Sequence, residues 1–180
     1  KFKNLSKKNW TKSIPKGGFL KSRLSYLFIF IISLPSLLNL INRENICKSY
    51  QIKNTALWNN NEKISINLVK KITNSSYYLP NKDLLKNYPD SQRFDVVGKI
   101  KIDAKTLDSL NIKNINFIKI DVQGAELKIL EGGKNSLKDC MGIEVEVSFI
   151  EIYKNQPLFG DIYNYAINNN FMFVTFSEII

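Results

Sequence analysis

The chain of 180 residues has no histidine. That removes Ser-His-Asp and Cys-His catalysis, and any metal held by imidazole. Its two cysteines, Cys47 and Cys140, are too few for a disulfide framework or a cysteine-based zinc site. Acid is scarce at one end. Residues 1–50 hold ten Lys/Arg and one carboxylate, Glu44, a net charge of +9, whereas residues 51–180 hold sixteen Lys/Arg against fifteen Asp/Glu, a net charge of +1. The overall charge of +10 therefore reports a basic leader, not a basic body. A nucleic-acid partner needs a basic face and is not expected. No internal repeat is present, and the length suits one domain with a sizeable core.

What is present centres on residues 115–126. Residues 115–120 are mostly apolar and rich in Ile and Phe, which suits a strand buried on both faces of a parallel sheet. Asp121 stands where that strand should end. Gly124 permits a tight turn or a close backbone approach. From Ala125 the spacing turns helical, with Leu127, Leu130 and Leu137 apolar and Lys128, Glu131, Lys134 and Lys138 polar, so a helix is predicted to close at about Lys138. In open α/β sheets ligands bind outside the carboxyl ends of the strands, which makes Asp121 a site candidate. The competing role for Asp121 is a helix cap.

Around this unit the chain reads as α/β. Residues 1–23 carry eight Lys/Arg and no acid, and are expected to form a loose, flexible arm. Residues 24–41 are almost wholly apolar. They read either as a strand over 26–32, expected to pair beside a strand at 51–57 and followed by a turn at Pro35 and a short helix, or as a membrane contact, although the run is slightly short for a span and Pro35 interrupts it. No small-residue cleavage site marks a signal peptide. Strands are expected at 51–57, 63–69 and 94–102, and a short helix at 106–110. Residues 73–92 read as a long loop, either functional or a disordered insertion. Residues 142–149 alternate Ile143, Val145, Val147 and Phe149 against Glu144, Glu146 and Ser148, so one of the two acids either points into the cleft beside Asp121 or lies on a solvated face. A helix over 158–169 and a last strand over 171–176 complete the order.

Residues 117–133 and 142–149, with the later run 153–161, resemble the FkbM-type S-adenosylmethionine-dependent methyltransferases. The likeness covers roughly residues 51–176. It implies a Rossmann-like, mostly parallel sheet with an antiparallel C-terminal strand, S-adenosylmethionine as cofactor, and O-methylation of a sugar or other small acceptor. The corresponding domain is 24–180, with 24–50 atypical and 51–180 family-like, and the location implied is cytoplasmic, with membrane association through 24–41 as the alternative.

Without histidine, a carboxylate is the available base for a hydroxyl acceptor. Asp121 is best placed, Glu126 next, then Glu144; Glu126 could equally be a first-turn acid that favours the helix dipole. Thr55, Ala56 and Leu57 lie at the end of the strand that resembles the adenine side of the family's cofactor site, and Asp121 would share in that binding. No metal is expected, because one carboxylate makes a poor metal site.

The likeness also exposes two departures. The family's second strand ends in an acid that holds the cofactor ribose, and Ile32 stands there instead. The family's glycine-rich turn after its first strand has no counterpart, since no strand precedes Gly17 and Gly18. The chain begins at Lys1, so its N-terminal side reads as incomplete, foreign or diverged. Losing a hydrogen bond to a charged group costs roughly 1.5–3 kcal/mol, about 10- to 150-fold in affinity. The expectation is weak binding of S-adenosylmethionine or none, with a non-catalytic binding domain or a membrane-anchored glycan-pathway protein as the alternative functions.

Overall fold

The structure, a computed structural model, describes the backbone of residues 6–11, 26–30, 53 and 55–179, and the side chains of residues 53 and 55–176. The strands are Ser6–Thr11 (β1), Tyr26–Phe30 (β2), Ala56–Leu57 (β3), Glu62–Val69 (β4), Val96–Lys105 (β5), Phe117–Asp121 (β6), Gly142–Val147 (β7) and Met172–Ile179 (β8). The α-helices are Lys82–Leu85 (α1), Glu126–Glu131 (α2) and Phe159–Asn168 (α3), joined by 3-10 turns at Ile72–Asn74, Ser91–Phe94 and Asp108–Leu110.

Among the described residues the strands form two sheets. The larger has the order β2-β6-β7-β1-β8, the smaller β3-β5-β4. β6 pairs in parallel with β2 on one side and with β7 on the other, so the strand carrying Asp121 is interior, as its sequence predicts. The fold is mixed α/β.

Four differences from expectation have physical causes. β6 alternates in burial: Ile118 and Ile120 are inaccessible, while Phe117, Lys119 and Asp121 are half-buried on the other face. Lys119 is kept there by Glu144, its register partner on β7. The reversed strand of the large sheet is β1, antiparallel to both β7 and β8, so β8 runs with the parallel set and the C-terminal strand is not the reversed one. Residues 6–11, expected in a loose arm, thereby supply backbone partners to β7, whose exposed N–H and C=O groups would otherwise form an open edge. β2 lies beside β6 rather than beside the strand at 51–57. β3, only two residues long, stays with β5, because Trp58 donates its N–H to the Lys105 carbonyl and the turn at 59–61 leads directly into β4. Residues 31–52 and the rest of the leader lie outside the described residues. Finally, α2 ends at Glu131 and not near Lys138. A Cβ at Gly132 would sit 2.1 Å from the Trp58 carbonyl oxygen, so the chain here packs backbone against backbone.

The core lies on one face of the large sheet. Ile118, Ile120, Ile143 and Val145 meet Ile129 and Leu130 of α2 and Ile162 and Ala166 of α3. Burial stabilises each of the Ile, Leu and Val side chains by roughly 1.5–3 kcal/mol. The Tyr165 hydroxyl donates to the Leu130 carbonyl at 2.6 Å and ties the two helices together. At the start of α3 the Asp161 carboxylate accepts the Leu158 N–H at 2.8 Å. With this side closed by helices, the polar side chains of β6 and β7 point to the opposite face and to the strand ends. Among the described residues no helix is long and apolar enough to cross a membrane.

Candidate active site

β6 ends at Asp121, and the chain turns back into α2 through Val122–Ala125. Gln123 (φ 57°) and Gly124 (φ 98°) both take left-handed backbone. At Gly124 a Cβ would meet Gln156 and Tyr78 only at ordinary contact distances, so it is the left-handed backbone that suits the position to glycine.

Glu126 holds this turn. Its Oε1 accepts the N–H of Val122 at 3.0 Å and of Gly124 at 3.2 Å. The side chain is buried, and burial pushes its carboxyl up to about 7, against the opposing pull of those backbone donors; nearby Asp121 adds to the rise. Glu126 is thus the acid that fixes the turn geometry, with a proton affinity close to neutrality.

Gln123 joins the two sides of the site. Its Nε2 donates to Glu146 Oε2 at 3.3 Å and lies 3.5 Å from Asp121 Oδ1. The Tyr153 hydroxyl lies 3.1 Å from Gln123 Oε1 and 2.7 Å from the Asn74 carbonyl, and its single proton serves one acceptor at a time. Burial, with Glu146 and Glu126 nearby, raises the Tyr153 phenol, so it stays protonated and a donor. Tyr153 is itself seated by Gln156, whose Oε1 accepts its N–H at 2.7 Å.

The long stretch 73–92 closes over this turn. Ser76 Oγ donates to the Gln123 carbonyl at 2.6 Å, and Pro80 bridges to Tyr153. These bonds exclude the disordered-insertion reading. Between the stretch, the β6 turn and β7 lies a cavity of about 200 Å³, with Gln123, Glu126, Glu146, Ser148 and Tyr153 among its walls and Lys71 and Arg93 at its opening.

The predicted site residues divide accordingly. Glu126 lines the cavity, and Asp121 stands beside it, linked through Gln123. Of the two β7 acids it is Glu146 that reaches the cavity, whereas Glu144 forms a mostly buried ion pair with Lys119 at 2.8 Å. Thr55, Ala56 and Leu57 lie apart from the cavity: Ala56 and Leu57 pair with β5, and Leu57 is in the core beside Trp58. Ile32 is outside the described residues.

Sequence reasoning missed Gln123, Tyr153, Lys71 and Arg93 as site residues. Two of them carried a signal. Gln123 stands inside the strand-turn-helix motif, and Tyr153 opens the 153–161 run.

Residues 27–173 match the methyltransferase FkbM domain, which takes in most of the chain and both of those runs. The chain belongs to the FkbM methyltransferase domain family. No curated protein and no solved structure matches it. Within this FkbM domain, the acid-ended strand β6, its glycine turn and the Gln123 network are the parts that assemble polar groups at the carboxyl ends of parallel strands, where open α/β sheets take their ligands.

Proposed function

We propose that this FkbM domain transfers a methyl group from S-adenosylmethionine to a hydroxyl of a sugar or other small acceptor, on a Rossmann-like sheet. What supports the reading is the cluster of carboxylates joined by Gln123 at the ends of β6 and β7. The donor is a sulfonium cation, and a half-buried carboxylate such as Asp121 suits it; Phe30, the register partner of Asp121, brings the end of β2 to the same place. S-adenosylmethionine, when bound, supplies an electrophilic methyl group. Asp121 would hold the donor side and accept the hydroxyl proton. Glu146 and Gln123 orient the acceptor hydroxyl, Tyr153 fixes the Gln123 amide, and Glu126 keeps the turn in place. The cavity is smaller than the roughly 300–1,000 Å³ usual for a whole small-molecule site, so it suits one unit of the acceptor and not the donor as well.

The decisive experiment is methyl transfer from labelled S-adenosylmethionine to a panel of sugars, with Asp121→Asn alongside and donor binding followed by calorimetry. A positioned general base contributes about 10²–10⁴-fold, so the variant should lose activity by that order while its melting temperature holds. Transfer that Asp121→Asn leaves intact would remove Asp121 from the mechanism. Absence of both transfer and binding at millimolar donor would overturn the methyl-transfer reading.

A further inference from the structure

Two cations stand at the opening of the cavity without a carboxylate partner among the described residues. Lys71 and Arg93 are both exposed and both line the opening, whereas Glu126 and Ser148 are buried within it. Neighbouring charges are already satisfied. Lys70 pairs with Asp95 at 2.9 Å, and Lys82 lies 3.7 Å from the same carboxylate. Asp95 is thereby engaged by two other lysines.

The two cations are placed, not scattered. The Lys71 N–H donates to the Arg93 carbonyl at 3.0 Å, which continues the pairing of β4 with the chain leading into β5 and sets the residues side by side. The Arg93 guanidinium lies 4.9 Å over the Phe94 ring. Phe94 is buried and packs edge-on against Tyr153 at 6.0 Å. The guanidinium is therefore held by an aromatic face that is part of the site wall. A planar cation of this kind presents paired donors suited to a carboxylate or a phosphate.

We propose that the acceptor is anionic: its carboxylate or phosphate sits between Lys71 and Arg93, and its hydroxyl reaches inward to Gln123 and Glu146. This deepens the methyl-transfer reading and rests on it for the role of the inner acids. The cavity is polar at both ends but with opposite charge, cationic at the mouth and acidic inside. A neutral sugar would leave the mouth cations to water, whereas a sugar acid or sugar phosphate matches both ends. The small volume limits the bound unit to about a single ring.

Binding is tested with the full chain and without donor, by calorimetry with glucose, glucuronic acid and glucose 6-phosphate. At least one of the two anionic sugars should bind about tenfold or more tighter than glucose, the order expected for one charge-assisted hydrogen bond. Whichever anion gains identifies carboxylate or phosphate as the group. The advantage should vanish in the double variant Lys71→Gln/Arg93→Gln, partly survive in Arg93→Lys, and shrink as salt is raised. Both sites are exposed, and thermal melting verifies folding of each variant. Equal binding of all three sugars, binding of none, or an anion preference that survives the double variant would each overturn the proposal. Donor binding and methyl transfer are measured separately. Anion binding without methyl transfer would sink the catalytic reading and leave the mouth site; methyl transfer to neutral sugars alone would do the reverse.

Discussion

Glu126→Gln tests the account of the turn most directly. Glu126 is 5% exposed and accepts two backbone N–H groups through Oε1. Glutamine keeps an oxygen there but cannot ionise. The wild-type carboxyl is raised from 4.5 to about 7, chiefly by burial. At about 1.4 kcal/mol per pH unit, the folded state prefers the protonated acid by roughly 3 kcal/mol. In the unfolded chain the group loses its proton near its ordinary value. Between those two values the folded state therefore binds more protons, and stability must fall as pH rises. The contribution is fully present below pH 4.5 and lost as pH passes through about 7. Urea unfolding at pH 4.5 and pH 8 should show the stability of Glu126→Gln rising relative to wild type by roughly 3 kcal/mol across that range. In melting temperature this is roughly 10 °C for a chain of this size. A difference between the two proteins that does not change with pH would refute the buried, proton-retaining Glu126. A large loss of stability at both pH values would mean that an amide cannot replace the carboxyl in holding the turn.

Three other perturbations follow from particular contacts. Gly132→Ala places a methyl 2.1 Å from the Trp58 carbonyl oxygen, against backbone that cannot move aside cheaply, and should lower stability by about 1–3 kcal/mol in urea titration. Glu144→Gln strips the counter-charge from Lys119, whose side chain is only 21% exposed, and should cost about 1.5–3 kcal/mol of stability while leaving the Michaelis constant for acceptor unchanged. Ile32→Asp supplies the acid that the family places at the end of its second strand; donor affinity by calorimetry should rise about 10-fold or more, and no gain would show that the ribose is held elsewhere.

The local chemistry of the central unit was legible from the residues alone. An apolar strand, an acid at its end, a glycine and then helical spacing describe β6, Asp121, Gly124 and α2, because each depends on side-chain period or on a backbone conformation open to few residue types. The alternation of Ile143, Val145 and Val147 likewise marked β7, and the family followed from these two runs together with residues 153–161. The end of α2 was not legible, since Gly132 packs against the backbone of Trp58, a residue more than seventy positions away in the chain, and Gly133 against the side chain of Leu107. The choice between Glu144 and Glu146 was equally closed to sequence. Both lie on one face of β7, and only the register with β6 sets Glu144 against Lys119 and leaves Glu146 to Gln123. Strand order was undetermined for the same reason. Backbone pairing is open to any extended segment, polar β1 included, so which one lies beside β6 or β7 depends on long-range pairing and not on local pattern. The mouth of the cavity shows this most plainly. Lys71 and Arg93 are ordinary surface charges in the sequence, and only the backbone bond between them, with Phe94 beneath the guanidinium, makes them a pair.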